Sequence, residues 1–144
     1  MRAEDLPIIA EIERLSFSEP WSEGAISILL SPENVGVVAL DGDRVAAYGG
    51  MTTVLDEGSV ANVATHPDYR RRGLGRAIVA ALQREALARG VTSVFLEVRV
   101  SNEAARRLYE EMGFSVIGVR KGFYRRPSED GLAMEWKGST PERS

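Results

Sequence analysis

Cysteine is missing from all 144 residues, and histidine occurs once, as His66. Without thiols there is no disulfide framework and no thiolate nucleophile, and one imidazole with no sulfur partners makes a poor zinc site. His66, followed by Pro67, reads as a loop residue, and no metal is expected. Long apolar runs are lacking too. Nothing approaches the roughly 18 consecutive apolar residues of a membrane helix, and Met1-Arg2-Ala3-Glu4-Asp5 has no apolar signal core. The expectation is a soluble, cytoplasmic chain without a membrane partner. Basic charge is not in excess either: 18 Lys and Arg face 21 Asp and Glu, for a net charge of −3, so nucleic acid is not an expected partner. There is no Gly-x-Ser-x-Gly elbow to support a serine acyl-enzyme.

What is present is the composition of one ordinary domain, 44% hydrophobic and 27% charged, read here as a single domain over 1–138 with a disordered tail at 139–144. Asp5 is placed to cap a helix over about 5–16, with Pro7 in its first turn and Ile8, Ile9, Ile12 and Leu15 on one face. Ser22 starts a second helix bearing Ile26, Leu29 and Leu30, which Ser31-Pro32 stops. Strands at Val35 to Leu40, Val45 to Leu55 and Ser59 to Ala64, broken by Asp41-Gly42 and Asp56-Glu57-Gly58, form an antiparallel meander. A helix carrying Ile78, Val79, Leu82 and Ala86 ends at Gly90, and Val94 to Arg99 then completes a parallel β-α-β unit. A fourth helix over about 102–112 precedes two more strands, Ser115 to Lys121 and Leu132 to Trp136, joined by a polar loop. The fold class is therefore mixed α/β (α+β), with a mostly antiparallel sheet around one parallel pair.

The chemically informative segment is Arg70-Arg71-Arg72-Gly73-Leu74-Gly75-Arg76, between a strand and the helix after it. Free N–H groups at a helix start, with the positive end of its dipole, bind phosphate, and glycine lets the backbone come close. An anion site is expected at 71–76; a solvated basic turn is the alternative. No Gly-Lys-Ser/Thr follows, and Ile78 stands at the third glycine position, so neither a Walker loop nor a dinucleotide fingerprint is complete.

This segment, preceded by Asn62-Val63-Ala64-Thr65-His66-Pro67, resembles the acetyl-CoA pyrophosphate loop of GNAT N-acetyltransferases. Leu96-Glu97-Val98-Arg99-Val100-Ser101-Asn102-Glu103-Ala104-Ala105, Leu108-Tyr109-Glu110-Glu111-Met112-Gly113-Phe114, Arg120-Lys121-Gly122-Phe123-Tyr124 and Glu129-Asp130 are similar to the RimI-type branch, the ribosomal-protein-alanine N-acetyltransferases. The resemblance implies acetyl-CoA as co-substrate and a parallel pair splayed to admit it. It also implies a protein N-terminus as acceptor, with ribosomal protein S18 the candidate. Family members usually open with a short strand before the first helix. Only Met1 to Glu4 precede it here, so that strand is expected to be short or missing and the sheet edge open. A monomer or weak dimer is the expected state.

In the strand at 94–99, Phe95, Glu97 and Arg99 share a face opposite Val94, Leu96 and Val98. Glu97 thus lies near the C-terminal end of a parallel strand, where ligands tend to bind, and is a candidate base for an acceptor amine. The residue alone fits a solvent-facing partner of Arg99 equally well. Asn102 and Tyr109, seven apart, share one helix face and can touch one elongated ligand. The resemblance implies that Asn102 binds the pantetheine or adjoining phosphate part of CoA and that Tyr109 protonates the departing thiolate; a core tyrosine is the alternative. It further implies that backbone N–H groups near Val63 or Ala64 polarise the thioester, that Phe17 and Trp21 flank the peptide cleft, and that Tyr124 closes its other side; for Phe17 and Trp21 a hydrophobic anchor fixing the two-helix entry is the alternative. Glu129 and Asp130 would meet basic acceptor residues or decorate a turn. Phe123 stands where the branch commonly has a tyrosine, one hydroxyl fewer near the acceptor. Rival readings are an acetyltransferase for small amines or lysine side chains, and a non-catalytic acyl-CoA-binding module.

Overall fold

A computed structural model describes residues 1–125 and 127–138; the tail expected at 139–144 lies outside the described residues. A 3₁₀ turn at Ala3–Asp5 runs directly into α1 (Leu6–Ser16). Because that helical path is continuous, Asp5 does not cap α1; it closes the preceding turn, where Arg2 N–H donates to its Oδ2 at 2.8 Å. The buried face of α1 is Ile9, Ala10, Ile12 and Glu13, whereas Leu15 is half exposed, so the inward stripe is rotated to take in a glutamate. Ser22 caps α2 (Glu23–Ile26) as expected, accepting from Ala25 N–H at 3.1 Å. The second helix tightens into a 3₁₀ turn over Ser27–Leu30 instead of continuing.

Six strands follow in the order β1-β2-β3-β4-β6-β5: β1 (Val35–Asp41), β2 (Arg44–Val54), β3 (Glu57–Thr65), β4 (Ser93–Arg99), β5 (Ser115–Tyr124) and β6 (Glu129–Lys137). No strand precedes α1 among the described residues, so β1 is an outer strand, and the Met1 amino group donates to Gly36 O at 3.3 Å. All neighbours are antiparallel except β3 and β4, which α3 (Leu74–Ala88) connects. That parallel pairing covers only Glu57 with Ser93, Gly58 with Val94 and Ser59 with Phe95, after which the strands part. A bulge between Gly50 and Met51 of β2 matches two residues, Ala61 and Asn62, to one on the facing strand. α4 (Glu103–Glu111) follows the C-terminal end of β4.

Two apolar layers sandwich the sheet. On one face Ile78, Val79, Leu82 and Ala86 of α3 pack on Val94, Leu96, Val98 and Met134, with Leu108 and Tyr109 of α4 beside them. On the other, Ile9, Ile12, Ile26 and Leu29 pack on Val45, Tyr48 and Ala64. Glycine in β2 sets how closely α3 approaches: a Cβ on Gly49 would overlap Ile78 Cγ2, a branched methyl that cannot swing aside. Gly49→Ala is therefore expected to destabilise the fold by about 1–3 kcal/mol, read as a lower urea midpoint at unchanged m.

Candidate active site

The parting of β3 and β4 leaves a cleft of about 660 Å³ that runs through the sheet. Its walls on the α4 side are Leu96, Val98, Asn102, Ala105 and Tyr109; those on the α1 side include Phe17, Trp21, Asn62, Glu97 and Tyr124. The alternation of β4 makes this division: Val94, Leu96 and Val98 are buried under α3, which turns Glu97 to the opposite face. Among the residues expected in the site, Phe17, Trp21, Val63, Glu97, Asn102, Tyr109 and Tyr124 border the cleft; Ala64, the 70–76 segment, Glu129 and Asp130 do not.

Glu97 is partly exposed, and its Oε2 accepts from Arg120 Nη1 at 3.1 Å. Its ion-pair partner is therefore on β5 rather than Arg99. Arg99 instead pairs with Glu129 at 3.2 Å and lies over the Tyr124 ring at 4.5 Å. Burial raises the Tyr124 phenol above its ordinary value, and the nearby Glu97 charge adds to that. On the far side of the sheet, burial pushes the Tyr109 phenol up to about 12, with Tyr124 contributing. The Tyr109 ring is fixed edge-on against Phe114, centroids 5.7 Å apart. Asn102 caps α4, accepting from Ala105 N–H through Oδ1 at 3.1 Å, which leaves its amide N–H₂ for the cleft it borders.

Where the sequence places an anion loop, Gly73 is the left-handed N-cap of α3 (φ 76°) and Arg71 also has positive φ (67°). The first N–H groups of α3 start from this curl and have no partners within the helix, as phosphate binding requires. The arginine side chains divide. Arg70 Nε donates to Thr65 O at 3.4 Å, Arg72 lies over the Tyr69 ring at 5.2 Å, and Arg76 is paired with Glu111 of α4. His66 sits in the loop as expected, with Nδ1 accepting from Asp68 N–H at 3.1 Å. Among the described residues, no three His, Asp or Glu side chains converge as a metal site needs. No helix among them is long and apolar enough to cross a membrane.

Glu129 and Asp130 differ from the sequence expectation in kind. Both belong to β6 rather than to a loop, because the β5–β6 hairpin continues past a bulge to pair Tyr124 with Glu129. Asp130 Oδ1 accepts from Gly122 N–H at 2.8 Å, fastening that bulge. Glu129 Oε2 accepts from Ser101 N–H at 2.6 Å, and hydrogen bonds from Ser101 hold its carboxyl below the usual range. These carboxylates build the frame that presents Tyr124.

A further group escapes sequence reading. Glu13 is fully buried, and three donors converge on its carboxylate: Trp21 N–H at 2.8 Å, Asn62 Nδ2 at 2.7 Å and the Tyr48 hydroxyl. Burial raises its pKa, opposed by the bonds from Trp21 and Asn62. A glutamate on an amphipathic helix reads as a solvent-facing charge. The available signal was its position four residues after Ile9 and next to Ile12, inside the apolar stripe.

The sequence pattern of the acetyltransferase (GNAT) family matches residues 6–114. The ribosomal protein bS18-alanine N-acetyltransferase of Escherichia coli strain K12 is 39% identical over 127 residues, which is 88% of this chain and 84% of that protein. The protein of that name from Haemophilus ducreyi is 32% identical over 128 residues, 89% of this chain and 87% of its own length. The crystal structure of the ribosomal-protein-S18-alanine N-acetyltransferase from Escherichia coli superposes with a TM-score of 0.90 at 35% identity, covering 97% of this chain and 92% of that one.

Proposed function

This chain belongs to the GNAT family of acetyltransferases, and from that premise we propose that it acetylates the α-amino group of a protein N-terminus, using acetyl-CoA. An alanine-starting acceptor such as ribosomal protein bS18, on which its relatives are named as acting, is the substrate of choice. The observation that carries this reading is the cleft passing between β3 and β4. It separates an acceptor side bearing Glu97 from a donor side bearing Asn102 and Tyr109.

The residues present suit the donor. The left-handed turn into α3 offers N–H groups to a pyrophosphate, and the open edge of β3 around Val63 offers backbone to a thioester oxygen as charge develops there. Acetyl-CoA supplies an activated acyl group. Glu97 takes a proton from the acceptor amine, directly or through one water, while Phe17, Trp21 and Tyr124 hold the peptide end against the sheet. Tyr109 donates to the departing sulfur from the opposite face. Transfer is direct, since the chain has no cysteine to carry the acyl group.

Thiol release from acetyl-CoA tests the acceptor class, and this cysteine-free protein adds no background to a thiol reagent. Peptides beginning in Ala are expected to be turned over faster than peptides beginning in Met and faster than lysine side chains or small amines. Turnover confined to small amines would overturn the peptide reading and leave the family intact.

A further inference from the structure

The buried Glu13 has a role that packing does not explain. A carboxylate taken wholly out of water costs stability unless its hydrogen bonds are fully made, and its three donors include no cation. An apolar residue would serve the core better. What Glu13 does is join three pieces that border or support the cleft: the 17–21 loop through Trp21 N–H, β2 through Tyr48, and the β3 bulge through Asn62.

The bulge decides where Asn62 points. Along β3, Val60 and Val63 pack with the α3 layer and Ala61 and Ala64 with the α1 layer, while Asn62 bonds to Glu13 of α1. Two successive side chains, Ala61 and Asn62, therefore share the α1 face, which is the face of Glu97. The last paired residues are Ser59 and Phe95; two steps along each strand reach Ala61 and Glu97, and Asn62 comes next on its strand. Asn62 and Glu97 thus stand at similar height on opposite banks of the gap, and both line it.

An amide that gives one N–H to a carboxylate keeps a second N–H and its oxygen, and of these only the oxygen can accept from an incoming amine. Resting on the acceptor reading above, we propose that Asn62, oriented by Glu13, positions the acceptor: its Oδ1 accepts a hydrogen bond from the α-amine while Glu97 takes the other proton. Glu13 is a positioning residue acting through Asn62. Two acceptors on opposite banks fix the direction of the nitrogen lone pair, which one carboxylate alone leaves free to rotate.

The test is steady-state kinetics of Asn62→Ala, Glu13→Gln and the double variant, with the best acceptor found for the wild type. Asn62→Ala is expected to raise the acceptor KM about tenfold, the worth of one hydrogen bond to a polar ligand, with the KM for acetyl-CoA within about twofold. Glu13→Gln keeps volume but presents an N–H₂ to Asn62; the Asn62 amide then flips, its own N–H₂ faces the incoming amine, and the acceptor KM rises similarly. The double variant should be no worse than the single ones, because one interaction is lost in all three. Retained acceptor KM in Asn62→Ala, or fully additive losses in the double variant, overturns the proposal. If Glu13→Gln lowers thermal stability and leaves the acceptor KM unchanged, Glu13 is structural only. Should Glu13→Gln not fold, Asn62→Ala alone decides whether this side chain positions the acceptor, a retained acceptor KM overturning the proposal. A wild type that releases no thiol with any α-amine instead overturns the acceptor reading beneath, which separates the two failures.

Discussion

Glu97→Gln is expected to lower kcat by about two to four orders of magnitude, the usual contribution of a positioned base, while acetyl-CoA still binds. Glutamine has the same shape and its oxygen can still accept from Arg120, so the β4–β5 contact survives and no unfolding is expected. What it cannot do is hold a proton. Because Glu97 lies on the α1 face of the sheet and the left-handed turn proposed to bind phosphate lies at the start of α3, the variant is expected to separate chemistry from donor binding. Calorimetric titration with CoA should give wild-type affinity where thiol release has nearly stopped. Loss of both together would show that Glu97 holds the cleft in shape; unchanged turnover would remove it from the reaction.

Tyr109→Phe is expected to lower kcat about ten- to hundredfold, below the usual range for a general acid because a thiolate is already a fair leaving group. Phenylalanine keeps the edge-on contact with Phe114, so the loss isolates the hydroxyl. A phenol pushed up to about 12 by burial is a reluctant acid, but the same dry surroundings raise the basicity of a sulfur leaving into them. On the proposed role, the phenol and the thiolate it would protonate shift together. At that value Tyr109 stays protonated well beyond pH 9, so wild-type kcat should show no alkaline decline from this group below about pH 11. The stability sign follows from the same elevation. The neutral phenol is favoured in the folded protein, so its contribution is complete below the unfolded value near 10 and is lost as pH rises toward about 12. Tyr109→Phe should flatten that part of the alkaline unfolding curve.

Much of this site is legible in a single sequence because it depends on local regularities. Period-two alternation from Val94 to Arg99 places Glu97 away from the core, and glycines before an amphipathic helix mark the left-handed turn at Gly73. Seven residues of helix bring Asn102 and Tyr109 to one wall. Long-range contacts are where reading fails. The polar pair Glu129-Asp130 has the composition of a loop, and only the bulge at 121–123 shows that both side chains fasten a hairpin. Glu13 is hidden for a deeper reason. Its partners are 8, 35 and 49 residues away, and its neighbourhood shows only that the position faces inward, not what a carboxylate would bind there. The partner of Glu97 likewise comes from β5, 23 residues on, rather than from the adjacent arginine.

The short parallel contact between β3 and β4 also divides the molecule mechanically. One half is the β1–β2–β3 meander with α1 and α2 upon it; the other is the β4–β6–β5 ladder, and three residue pairs between β3 and β4, bonds from Thr92 and Ser93 N–H to Asp56 O, and the α3 crossover bridge them. Among the described residues the facing edges of β3 and β4 share no ladder beyond Ser59 and Phe95, so opening along this seam breaks few hydrogen bonds. A ligand lying along it would add a bridge between two strand sets that otherwise meet through the short β3–β4 pairing and the core shared beneath α3. Occupancy should then protect amides on both sides of the seam from hydrogen exchange, including those that never touch the ligand. The gap that forms the cleft is thus also the seam between two sets of paired strands.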